Sequence, residues 1–162
     1  MKETDLAYIA GVMDSDGCFT MVKSWPKYRS GISPCYYEKC GLKQTQPEAV
    51  ELIYKNFGGH CGLIQPKEKN RRSLYSLQIS NIKAHKLIKS IYPYLRIKKV
   101  RAKILLDLRE KIETKETRKQ KCAQKNRWRQ TAMYTKDVLT QKEITTRERL
   151  FQQIKLLNKR GI

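Results

Sequence analysis

The stretch from Leu6 to Phe19, LAYIAGVMDSDGCF, constrains the fold more than any other part of the chain. Leu6, Ile9, Ala10 and Met13 fall at i, i+3, i+4 and i+7, one apolar helical stripe that Thr4 can cap. Ala7 and Gly11 sit four apart on another face and carry almost no side chain, so that face can lie close against a second backbone. The pattern stops at Asp14-Ser15-Asp16-Gly17, where the glycine can take up the conformation that ends a helix. Two acids there stand where unpaired carbonyls already carry partial negative charge. Either the turn is simply polar, or it binds a cation, and a hard divalent metal with oxygen ligands would satisfy it.

The residues that follow alternate. In Cys18 to Trp25, Phe19, Met21 and Trp25 take one face, with Lys23 out of pattern, while Thr20, Val22 and Ser24 take the other. A loop with Lys27, Tyr28 and Arg29 leads to a return strand over Tyr36 to Lys43. There Tyr36, Cys40 and Leu42 share one parity, and Tyr37, Lys39, Gly41 and Lys43 the other. Pro47 opens a helix whose stripe is Val50, Ile53, Tyr54 and Phe57, and Gly58-Gly59 ends it. A second hairpin covers about His60 to Ser80, with Lys67, Lys69, Arg71 and Arg72 at its turn. Asn81 caps a helix through Ile91, Pro93-Tyr94 breaks it, and another helix contains Ile104, Leu105, Leu108 and Ile112. Thr114 to Thr131 is polar and basic, and a last amphipathic helix holds Leu150, Phe151, Ile154 and Leu157. The order αββαββα predicts a single α+β domain. One four-stranded antiparallel sheet has its apolar face under helices, the core spans about residues 4–112, and a basic helical extension covers about 113–162.

Of the 162 residues, 35 are Lys or Arg and 15 Asp or Glu, a net charge of +20. Such an excess points to a polyanionic partner, because phosphate contacts release counterions. No long apolar run or lipidation signal marks a membrane binder, and a charged-then-apolar leader is missing at Met1, so an intracellular, non-secreted protein is expected. Five cysteines without framework spacing fit reduced thiols. Cys35, Cys40 and His60-Cys61 are irregularly spaced for zinc. The outward sheet face, Thr20, Val22, Ser24, Tyr37, Lys39, Lys43, Ser76 and Gln78, carries short hydrogen-bonding and basic groups suited to base edges in a DNA major groove. The basic hairpin tips would grip phosphates.

The run IAGVMDSDG, Ile9 to Gly17, closely resembles the LAGLIDADG motif of homing endonucleases. The similarity extends to Tyr92-Pro93-Tyr94-Leu95-Arg96-Ile97-Lys98-Lys99 and Leu156-Leu157-Asn158-Lys159-Arg160. The resemblance is to single-motif, homodimeric members. It implies that motif helices of two subunits pack together, through Ala7, Ala10 and Gly11. It implies that Asp16 binds metal at the dimer axis, with the Ser15 backbone carbonyl as second ligand, and that Asp14 is structural. Gln46 and Lys98 match a polar residue at the base of the first hairpin and a lysine after the second. Where a further basic residue is often found, this chain has Val50.

The expected activity is site-specific cleavage of double-stranded DNA at a long pseudo-palindromic target, as in intron- or intein-associated enzymes, with Mg²⁺ or a similar ion such as Mn²⁺ and no small-molecule substrate. Metal at two carboxylates lowers the pKa of water and clamps the attacking and leaving oxygens. Lys98 would stabilise charge and Gln46 could orient water. The alternative is a non-catalytic nucleic-acid-binding protein on the same fold, an RNA splicing maturase or a DNA-binding regulator.

Overall fold

A computed structural model of the protein describes residues 1–25, 33–66, 68, 72–114, 117–125 and 131–159, with 117–125 and 131–137 described by backbone alone. Helix α1 (Glu3–Ser15) leads into β1 (Cys18–Ser24) and β2 (Cys35–Gln44), then α2 (Glu48–Phe57), β3 (His60–Ile64), β4 (Leu74–Ser80) and α3 (Asn81–Ile91). After a 3₁₀ turn at Tyr92–Tyr94 come α4 (Lys99–Glu113), β5 (Thr117–Lys125), β6 (Thr131–Leu139) and α5 (Gln141–Lys159). The order αββαββα and the α+β class are as the sequence predicts. Four strands form one antiparallel sheet in the order β1-β2-β4-β3.

The core lies between this sheet and the helices. Phe19, Met21, Tyr36, Cys40, Leu42, Leu77 and Ile79 supply the sheet's apolar face. Ile9, Ala10 and Met13 of α1, Val50 and Ile53 of α2, Leu87 and Ile88 of α3, Leu105 and Leu108 of α4, and Leu150 and Ile154 of α5 close over it. Burial of this apolar area is the main favourable term in folding.

Two polar residues share the inward parity. Lys23 reaches Glu148 of α5, Nζ to Oε2 at 2.7 Å, which accounts for its place out of pattern. Glu38 is fully buried and accepts two bonds from Arg109 of α4, one of them from Nε at 2.7 Å. Trp25, in contrast, is exposed, because it lies past the end of β1.

Several local expectations shift. Helix α1 starts at Glu3, so Thr4 lies inside it, and the backbone N–H of Lys2 donates to Asp5 instead. Asn81 does not cap α3; it takes φ 58° at the sharp turn from β4, a left-handed conformation that asparagine tolerates better than most residues. The extension beyond residue 113 is not wholly helical: β5 and β6 pair as two antiparallel strands. Thr131, Tyr134, Thr135 and Val138 are β-branched or aromatic, and these types favour a strand over a helix in a segment with no apolar helical stripe.

Candidate functional site

The site is built where α1 ends. Met13 is buried against the sheet, and Gly17 follows so closely that a Cβ there would sit 2.7 Å from the Met13 backbone. Gly17 is therefore required by close packing, and its φ is not in the left-handed region expected of a helix-ending glycine. The chain can then turn directly from the helix into β1.

The two acids of the turn have separate tasks. Asp14 is buried and points to the start of α4: Oδ2 accepts from the Arg96 N–H at 2.6 Å and the Ile97 N–H at 3.1 Å, and Oδ1 from the Lys98 N–H at 2.9 Å. A carboxylate is unfavourable at the end of α1 but favourable at the N-terminus of α4, whose first amides have no helical partners. Asp14 is thus structural, as expected, although the element it caps is a distant one. Asp16 is exposed, and its Oδ2 accepts from Gln44 Nε2 at 2.8 Å.

Lys98 is fixed at the same junction. Its Nζ donates to the carbonyls of Met13 at 3.0 Å, Ser15 at 2.9 Å and Gly17 at 2.7 Å. An ammonium has three protons, and all are used. The cation demanded by the carbonyls of the helix end is thus supplied from within the chain. Burial pushes the Lys98 pKa down, helped by the nearby Arg101, while Asp14 and Asp16 oppose the shift.

Of the residues expected around the metal, the structure brings Asp16, Ser15 and Lys98 together. Gln46 lies exposed in the bend before α2, and among the described residues the side chain that touches Asp16 is Gln44, at the end of β2. One cue to Gln44 lies in its position: it is the last polar residue of the strand that pairs beside the motif turn. Val50 is fully buried in the core, so no basic group can project from that position.

The outward sheet face forms a trough of about 420 Å³ that starts at Asp16 and is lined by Cys18, Thr20, Val22, Lys39, Gly41, Lys43, Ser76 and Gln78. The ladders set this grouping: Thr20 faces Lys39, Gly41 faces Gln78, and Lys43 faces Ser76. Tyr37 and Ser24 lie on the same face nearer the loop end, where Val22 pairs with Tyr37 and Ser24 with Cys35. Cys18 and Gly41 join the expected set, and the parity of Thr20 and Lys39 already includes them. Arg72 is exposed at the second hairpin. Lys27, Tyr28, Arg29, Lys67, Lys69 and Arg71, the expected phosphate contacts of the hairpin tips, lie outside the described residues.

Beside the trough, α1 exposes Thr4, Ala7, Tyr8, Gly11 and Ser15, a single face at i, i+3, i+4, i+7 and i+11. Nothing lies within 4 Å of a Cβ placed on Gly11. Ala10, expected on this face, is fully buried instead and packs the protomer's own core. Hard oxygen donors at Asp16 and the Ser15 carbonyl are of the type that Mg²⁺ takes. Among the described residues no group of three or more His, Cys, Asp or Glu could hold a metal ion.

No curated protein sequence matches this one. Among solved structures, the chain is similar to the homing endonuclease I-CvuI in complex with the I-CreI target in the presence of 2 mM Mg, with the DNA not cleaved. Identity is 19%, coverage 68% of this chain and 69% of that one, and the TM-score 0.54. It is also similar to the group I intron-encoded homing endonuclease I-CeuI complexed with DNA, at 11% identity, 70% and 57% coverage and TM-score 0.54. The archaeal intron-encoded homing endonuclease I-Vdi141I complexed with DNA matches at 12% identity, 70% and 72% coverage and TM-score 0.52. These likenesses concern the fold. The LAGLIDADG endonuclease family model matches residues 9–114, from within the motif helix to the turn that ends α4, and the chain belongs to that family.

Proposed function

We propose that this chain is a homodimeric, metal-dependent DNA endonuclease, an intron- or intein-associated homing enzyme that cuts both strands of a long pseudo-palindromic site. The observation that carries this reading is the position of Asp16, which stands at the end of the polar trough and directly after the exposed face of α1. Two copies joined along that face bring two Asp16 carboxylates together and run two troughs outward from the joint. The structural neighbours that were solved with DNA support the same reading.

Asp16 and the Ser15 carbonyl would hold Mg²⁺ or Mn²⁺, together with their counterparts in the second copy. When bound, the ion supplies an activated water and neutralises charge on the leaving 3′ oxygen. Gln44 holds the Asp16 carboxylate in place, and Gln46 orients water. Lys98 has no spare proton to give, so its contribution is a fixed positive potential beside the reacting phosphate. Thr20, Val22, Ser24, Tyr37, Ser76 and Gln78 read base edges, while Lys39 and Lys43 contact guanines or phosphates.

The test is cleavage of a genomic or randomised DNA library with Mg²⁺ and with EDTA, followed by sequencing of the ends. Discrete metal-dependent cuts at one near-palindromic site, absent in Asp16→Asn, are expected. Tight binding with no cuts in any divalent ion would overturn the catalytic reading.

A further inference from the structure

The hairpin of β5 and β6 lies beyond the residues matched by the family model, and the proposed cleavage mechanism makes no use of it. Its strands pair from Thr117↔Leu139 to Lys125↔Thr131, each 9 residues long, so the ribbon extends about 30 Å. A two-stranded ribbon alone is marginally stable in water, so its base needs an anchor. The anchor is present: Val138 is buried, the Leu139 N–H donates to Ser33 Oγ at 3.1 Å, and Thr140 Oγ1 accepts from the Glu143 N–H that opens α5. Arg147 bonds both Glu143 and the Lys111 carbonyl, joining the start of α5 to the end of α4.

Ser33 lies two residues before β2, so the ribbon starts at the loop end of the first hairpin, the end of the trough remote from Asp16. Strand β5 contains Arg118, Lys119, Lys121 and Lys125 and no acid. Across the ladder, only Lys119 faces an acid, Asp137; Arg118, Lys121 and Lys125 face Val138, Thr135 and Thr131. Lys119, Lys121 and Lys125 share one strand parity, two of them with no acid opposite in the ladder, and such an excess of like charge favours the approach of phosphates or other anions. We propose that this hairpin is a second DNA contact, gripping the phosphate backbone of the duplex beyond the loop end of the four-stranded sheet and adding affinity without sequence preference. The inference rests on the DNA-binding reading given above.

The test compares the full chain with a variant carrying Arg118→Gln, Lys119→Gln, Lys121→Gln and Lys125→Gln, and with Lys121→Gln alone. Each is titrated by fluorescence anisotropy against a random-sequence duplex of about 50 base pairs over a range of KCl concentrations. The slope of log Kobs against log[KCl] is expected to fall by about 0.9 for each phosphate left unneutralised, so up to about 3.6 in the fourfold variant and about 0.9 in the single one. Thermal melts verify that both remain folded, and the single variant carries the test if the fourfold one does not. A steep wild-type slope that neither variant changes overturns the inference and leaves the main reading intact. A wild-type chain with no salt-dependent affinity for duplex DNA overturns the main reading itself. Slopes unchanged on DNA but reduced on a structured RNA would reassign the hairpin to RNA and also overturn the inference.

Discussion

Asp14→Asn and Asp16→Asn remove the same charge at positions two apart, and the structure assigns them opposite consequences. Asp14 accepts three backbone N–H groups at 2.6, 3.1 and 2.9 Å in a buried setting. Asparagine keeps one acceptor oxygen, which can still serve Arg96 and Ile97 as neutral bonds, each weaker by about 1 kcal/mol than bonds to a charged group. Its NH₂ then faces the Lys98 N–H, donor against donor, and forfeiting that bond costs about 1.5–3 kcal/mol. The total is about 3–5 kcal/mol, at the upper end of what single substitutions cause. For a domain of this size it lowers Tm on the order of 10 °C. Asp16 is exposed and bonds the neutral Gln44 amide, so Asp16→Asn stays within about 0.5 kcal/mol of wild type. Urea or thermal unfolding of the two variants decides the matter. If Asp14→Asn unfolds with the wild type, or Asp16→Asn is as unstable as Asp14→Asn, the division of tasks in the motif turn is wrong.

Other substitutions probe the polar groups under the sheet. Arg109→Met strands the fully buried Glu38 carboxylate and is expected to cost about 3–5 kcal/mol, whereas Glu38→Leu with Arg109→Met is close to neutral. Denaturant titrations measure both, and a double variant no better than the single one would refute the pairing argument. The Glu148 carboxyl is held down to about 2 by hydrogen bonds from Lys23, Tyr36 and Gln152. Its folded pKa is below the unfolded value, so the stability it adds is complete above about pH 5 and disappears as pH falls toward 2. Glu148 is partly exposed and screened, so this is about 1 kcal/mol or less. Glu148→Gln is expected to flatten the stability–pH curve over that window, and an unchanged acid limb would refute it.

Elements with a strong period were legible in the sequence: the α1 stripe, the alternation of β1, β2 and β4, and the two-hairpin order that defines the class. The parity of Thr20, Lys39 and Lys43 was enough to find the trough, because a ladder fixes which residues share a face. What the sequence concealed were partners distant along the chain. Nothing local to Lys23 or Glu38 says that α5 and α4 carry Glu148 and Arg109 to meet them. Ala10 shows the limit of a small-residue rule: smoothness permits a close approach but does not say to which helix, and here the approach is inside the protomer. The pairing of β5 with β6 was obscured because charge dominates their composition and their strand-forming residues are diluted among lysines.

The charges of the motif turn set Asp16 apart from its neighbours, because among the described residues its carboxylate has no cationic hydrogen-bond partner. The Asp14 carboxylate is neutralised by three amides at the start of α4, and the ammonium of Lys98 bonds the carbonyls of Met13, Ser15 and Gly17, using one of the two lone pairs of the Ser15 oxygen. Each of these anionic or partly anionic groups has an internal partner. Asp16 differs, since its described hydrogen bond comes from an uncharged amide, which orients a carboxylate without cancelling its charge. Joining two copies along α1 would set two such carboxylates facing one another, an arrangement that like-charge repulsion opposes until a cation or a proton is added. Lys98 cannot provide it, because its three protons are committed to the helix end. The turn therefore supplies the cation that its fold requires, and under the function proposed above the cation between two Asp16 carboxylates is bound from solution.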